Sequence, residues 1–93
     1  MQAAEGDTDT VKVSLMFFAR ARELAGCSEA SLAVPSGADT AALPRLILVA
    51  YPRLAAVLPS CMLSLNLDYV DAERPTALKG GDEVAVICPV SGG

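Results

Sequence analysis

Between Val11 and Phe18 every second residue is apolar. Side chains of an extended chain alternate between two faces, so Val11, Val13, Leu15 and Phe17 share one side of a predicted strand. The opposite side, Lys12, Ser14, Met16 and Phe18, begins polar and ends apolar. An apolar end on an otherwise solvated face calls for a covering element or a partner. Alternation returns at Glu29–Val34, with Ala30, Leu32 and Val34 inward, and more weakly at Met62–Leu67, with Leu63 and Leu65 inward. Tyr69-Val70 is a very short further strand. The last run, Glu83–Cys88, is apolar on both faces, Val84 and Val86 on one, Ala85 and Ile87 on the other. That pattern marks a strand central in its sheet.

Helical signals fill the gaps. Ala19–Ala25 is rich in helix formers and is followed by Gly26, a residue suited to the left-handed position that stops a helix. Asp39 and Thr40 are N-cap types ahead of a longer helix over Ala41–Tyr51, with Leu43, Leu46, Ile47 and Ala50 on one face. Pro44 is acceptable only in a first turn, because its ring removes a hydrogen bond and clashes with the preceding turn. The regular helix is therefore expected to begin late, near Thr40–Leu43, and Pro52 ends it. Arg53–Leu58 is a further short turn, and Asp71–Leu78 is a loop whose lone apolar residue, Leu78, is expected to plug the core. Lys79-Gly80-Gly81-Asp82 turns the chain into the last strand.

A helix between early strands and a long final strand permits the first and last strands to pair in parallel. The expected fold class is α+β: a mixed sheet of about five strands packed on one main helix, the β-grasp arrangement of ubiquitin-like proteins. The chain then divides into a disordered leader (1–10), the folded domain (11–88) and an extended tail (89–93). Pro89 cannot continue a sheet ladder, and the tail closes on Gly92 and Gly93. A Gly-Gly end packs poorly, since glycine loses the most entropy on ordering, but it is slender enough to thread a narrow active site.

Composition narrows the chemistry. The 93 residues are 53% hydrophobic with no Trp, so the core is expected to be Leu, Val and Ala. Net charge is −4 without a basic run, which argues against nucleic acid and for a basic protein partner. No histidine is present, removing the commonest general base and metal ligand. Cys27, Cys61 and Cys88 are widely spaced with no CxxC pair, so they are expected to be buried free thiols, with no zinc site and no dithiol motif. No apolar run approaches the roughly 20 residues of a membrane helix, and Met1–Thr10 has neither the apolar stretch of a signal peptide nor the arginines of a transit peptide. A cytosolic protein is expected.

Three stretches together carry a resemblance: Val13–Gly26 (VSLMFFARARELAG), Gly81–Val86 (GDEVAV) and Pro89–Gly93 (PVSGG). The chain resembles the small, sulfur-carrying subunits of molybdopterin synthases over nearly its whole length after residue 10. The resemblance implies that the Gly93 carboxylate is adenylated by an E1-like ATP-dependent adenylyltransferase/sulfurtransferase, giving a transient C-terminal AMP, and is then converted to a thiocarboxylate. Pro89, Val90, Ser91 and Gly92 would thread the tail into the large subunit, within a heterotetramer of two small and two large chains. There sulfur passes to cyclic pyranopterin monophosphate, forming molybdopterin. The carrier would be part of an enzyme without being catalytic alone, and would hold no tightly bound cofactor and no metal. Thiamine synthesis, transfer-RNA thiolation and a ubiquitin-like modifier are the alternative readings. Phe18, Tyr69, Ile87 and Val90 are the candidate docking patch. Cys88 departs from the second proline that the resemblance leads one to expect before PVSGG. It is read as a packed side chain, with sulfur relay as the alternative.

Overall fold

The computed structural model describes residues 9–88. Residues 1–8 of the expected leader (1–10) and the tail 89–93 lie outside them. Five strands and two α-helices follow in order: β1 (Thr10–Phe18), α1 (Arg20–Ala25), β2 (Glu29–Pro35), α2 (Leu43–Ala50), β3 (Met62–Leu65), β4 (Asp68–Tyr69) and β5 (Glu83–Ile87). The sheet order is β2-β1-β5-β3-β4. β1 and β5 pair in parallel, from Ser14↔Glu83 to Phe18↔Ile87, and the other neighbours are antiparallel. The strand that is apolar on both faces is thus the central one, and the fold is the expected α+β arrangement with one main helix.

The inner face is built from the first alternating set. Val13, Leu15 and Phe17 of β1, Leu32 and Val34 of β2, and Val84 and Val86 of β5 are all buried. Leu43 and Ile47 of α2 lie against them, joined by Leu54 and Leu58 from 3-10 turns over Pro52–Ala56 and Leu58–Ser60, and by Leu78. Removing such a side chain from water contributes about 1.5–3 kcal/mol each. Phe17 meets Tyr51 edge to face, with ring centroids 5.0 Å apart.

Local chemistry explains the boundaries. Asp39 accepts a hydrogen bond from the Ala41 amide and caps a 3-10 turn, Thr40–Ala42, so that α2 starts at Leu43 with Pro44 in its first turn. Gly26 closes α1 at φ 82°, a left-handed conformation that glycine adopts without penalty. Thr40 is buried, and its hydroxyl accepts from the Thr76 amide at 2.9 Å, tying the loop before β5 to the start of the helix.

Four expectations need correction. The third strand stops at Leu65, because Asn66 (φ 51°) and Leu67 (φ 77°) form the turn into β4. The short strand is Asp68–Tyr69, one residue earlier than its pattern suggests. Ala50 shares the face of Leu43 and Ile47 but is exposed, because it is the last residue of α2. Cys61 and Cys88 are bonded to each other, and only Cys27 is a free thiol. Strand register brings the pair together across 27 residues of sequence.

Candidate docking face and carrier terminus

The side of the sheet away from α2 has no described helix over it. Register sets its composition. Phe18, Ile87 and Met62 stand side by side across β1, β5 and β3. The next row runs Met16, Ala85, Ser64 and Tyr69. Phe18 and Ile87, singled out from alternation, are therefore direct neighbours, with Tyr69 on the same face one row away. Phe18 is 48% exposed and Tyr69 66%, whereas Ile87 is half-buried between its neighbours. Ala85 and Ser64 are small and buried, which makes the middle of this face a shallow groove of about 260 Å³. The polar end carries Lys12 and Ser14 of β1 and the Glu83 carboxylate of β5, so charge lies along one edge of the apolar area.

Two residues of this face were missed from the sequence. Met62 is half exposed, and Leu67 is 87% exposed at the β3–β4 turn. Leu67 also lines the groove with Tyr69 and Phe18. The signal was present in Leu67 itself: a large apolar side chain stands where a two-residue hairpin turn favours glycine. The turn reaches back to the central strand. Asn66 accepts from the Glu83 amide at 2.9 Å and donates from Nδ2 to Asp82 Oδ1 at 3.1 Å, while its amide donates to the Glu83 carbonyl. Asp82 is buried and also accepts from the Lys79 amide at 2.7 Å. The Asn66 hydrogen bond first, and then the Lys79 amide, hold its carboxyl below the usual carboxylate range. The exposed Leu67 and Tyr69 are thereby held in fixed positions relative to β5.

Backbone strain falls at both ends of β5, beyond the Phe18↔Ile87 pair and beside Glu83. Ala19 (φ 56°), Asn66 and Leu67 are the positive-φ residues other than glycine among those described. Ala19 follows Phe18 directly, and the other two precede β4. Such conformations cost of order 1–3 kcal/mol and persist where surrounding structure fixes them.

β5 delivers the chain to Cys88, beside Cys61 at the start of β3. Gly93, Pro89, Val90, Ser91 and Gly92 lie outside the described residues, so their placement relative to this face is not part of the geometry. A larger hollow of about 430 Å³ adjoins the same corner, between Pro44 at the start of α2 and the β3–β4 edge, with Asp71 as its one acidic residue. Among the described residues no group of three or more His, Cys, Asp or Glu is placed to hold a metal ion. No described helix is long and apolar enough to cross a membrane.

Comparison with known proteins adds the chemistry that this geometry serves. The ThiS family model matches residues 15–93. The chain is 41% identical to the molybdopterin synthase sulfur carrier subunit of Chlamydomonas reinhardtii, over 89% of this chain and 100% of that one. The fold is similar to that of SAMP1 from Haloferax volcanii, with TM-score 0.75, 24% identity and coverage of 88% and 99%. It is also similar to a chain in the complex of subunits 1 and 2 of molybdopterin-converting factor from Helicobacter pylori, with TM-score 0.63, 25% identity and coverage of 89% and 100%.

Proposed function

Given that the chain belongs to the ThiS family, we propose that it is the sulfur carrier subunit of a molybdopterin synthase. The observation that carries this reading is the 41% identity to a molybdopterin synthase sulfur carrier subunit, over 89% of this chain and the whole of that one. A central last strand ending at Ile87, followed by Cys88 bonded to Cys61, then leaves residues 89–93 to present the terminal carboxyl.

The chemistry proceeds in two exchanges at that carboxyl. Its oxygen attacks the α-phosphorus of ATP held by an E1-like enzyme and expels pyrophosphate, leaving an acyl-adenylate on Gly93. A sulfur nucleophile then displaces AMP to give the thiocarboxylate. Adenylation is needed because a free carboxylate has no adequate leaving group. ATP belongs to the activating enzyme, and this chain keeps no cofactor of its own. The loaded terminus, led by Pro89, Val90, Ser91 and Gly92, enters the large subunit and gives up its sulfur to cyclic pyranopterin monophosphate. Binding in the partner supplies proximity and orientation, which account for much of such a rate gain. Hence a chain without histidine suffices.

The outer face supplies the handle. Phe18, Ile87 and Tyr69, with Met62 and Leu67, form an apolar patch of the kind that interface cores use. The large subunit docks here, in a heterotetramer of two small and two large chains, and the activating enzyme uses the same patch in turn. The cytosol, where ATP is supplied, is the proposed location. Intact mass after incubation with the E1-like enzyme, ATP and a sulfur donor tests the reading. A gain of about 16 Da, for oxygen replaced by sulfur at the C-terminus, is expected. An unchanged mass under conditions that load an established carrier refutes it.

A further inference from the structure

Sulfur carriage through Gly93 leaves one reactive pair unused. Cys61 and Cys88 lie one step past the last β3–β5 ladder pair, Met62↔Ile87, and continue its register. Their Cα atoms are 4.2 Å apart and their sulfurs are bonded. Cys88 is 5% exposed, whereas Cys61 is half-buried and lines the hollow beside Pro44. The Cys61 sulfur also lies 3.2 Å from the Val57 carbonyl oxygen, so a thiol there has an acceptor ready. The site thus accommodates the dithiol as well as the disulfide. In a reducing compartment a disulfide is typically a responsive bond rather than a permanent one.

We propose that Cys61 and Cys88 are a redox couple, closed by a hydroperoxide and opened by a dithiol, which fastens the chain where the carrier segment leaves the sheet. The more accessible Cys61 thiolate attacks the terminal oxygen of the hydroperoxide. The O–O bond breaks, the alkoxide or hydroxide leaves and takes up a proton, and Cys61 becomes a sulfenic acid. The Cys88 thiolate then attacks the Cys61 sulfur, forms the S–S bond and expels hydroxide, which is protonated to water. Two thiols have lost two electrons and two protons, and one hydroperoxide has become an alcohol (or water) and a second water. A dithiol reverses the bond by exchange and is itself oxidised to its disulfide. With the bond closed, Cys88 is held against β3 through Cys61. With it open, fraying of Cys88 and Ile87 frees about 3.4 Å of chain per residue.

Thiol counting on the full chain tests the couple without reference to sulfur transfer. The protein is treated with hydrogen peroxide or with dithiothreitol, denatured, alkylated and weighed. Three alkyl adducts are expected after dithiothreitol and one, on Cys27, after peroxide, with three restored by later reduction. Three adducts after peroxide, or a bond that includes Cys27 in the peptide map, overturns the couple. The Cys61→Ser variant, which cannot form the bond, is expected to keep two adducts in both treatments. Hydrogen exchange tests the fastening. The amides of Met62 and Ile87 are expected to exchange about tenfold faster in the reduced protein, as local opening at a strand end becomes easier. Equal exchange in the two states overturns the fastening.

Discussion

Replacing Asp82 with alanine removes the acceptor of two hydrogen bonds, from Asn66 Nδ2 at 3.1 Å and from the Lys79 amide at 2.7 Å. Hydrogen bonds to a charged group contribute about 1.5–3 kcal/mol each, and the abandoned donors add a desolvation cost where they stay buried. Asn66 still accepts from the Glu83 amide, so the turn is not wholly lost. The expected destabilisation is about 3 kcal/mol at pH 7. For a domain of this length that lowers Tm by about 15 °C. The pH dependence gives a sharper test. The Asp82 carboxyl is held below its ordinary range in the folded state. Its contribution is therefore fully present above the unfolded pKa, about 3.9, and fades as pH falls through the lower folded value. Urea unfolding of wild type and Asp82→Ala between pH 7 and pH 2 should show the gap between them narrowing below about pH 4. A gap of the same size at both ends, or one under about 1 kcal/mol at pH 7, refutes the assignment of this network.

Deleting Gly93 is expected to abolish the mass gain on sulfur loading while leaving Tm unchanged; retained loading would contradict a role for the terminal carboxyl. Phe18→Asp and Ile87→Asp are each expected to weaken binding of the large subunit by at least about 30-fold, as loss of a central interface anchor does. Calorimetric titration beside circular dichroism of the variant separates lost docking from lost folding, and binding at wild-type strength by a folded variant would place the partner elsewhere. Leu67→Gly relieves a left-handed conformation and is expected to raise unfolding free energy by roughly 0.5–1 kcal/mol while weakening that complex. A less stable variant would show that Leu67 contributes to the fold rather than to contact.

Much of the architecture is readable in single elements. The apolar run Glu83–Cys88 points to a central strand because both of its faces must be covered, and β5 lies between β1 and β3. Pro44 predicts its own place in a first turn from its missing donor, and α2 begins one residue before it. The neighbourhood of Phe18 and Ile87 follows once β1 and β5 are set in parallel, since alternation puts both on the outer face. What could not be read arises from register between distant segments. Cys61 meets Cys88 only because Met62 pairs with Ile87, and no local spacing encodes that. Asn66 and Asp82 are similarly separated by 16 residues. Alternation counts Leu67 into the strand Met62–Leu67, because periodicity describes strands and carries no information about which turn side chains face a shared groove.

The parallel pairing of the first and last strands has a further consequence, for how the protein comes into being. β1 leaves the ribosome early, yet its neighbour β5 is made last, and β3 and β4 attach to the sheet through β5. Until those final residues are free, β1 has only β2 beside it, and a two-stranded ribbon is marginal by itself. Closure must also wait for a contact between distant parts of the chain, which slows folding. An interrupted translation product therefore lacks both the residues that hold the sheet together and the neighbours that complete the Phe18–Ile87 patch. Assembly of the docking face is in this way a check on the integrity of the chain. A partner that recognises the patch selects copies whose synthesis has at least passed β5, before any chemistry is spent on them.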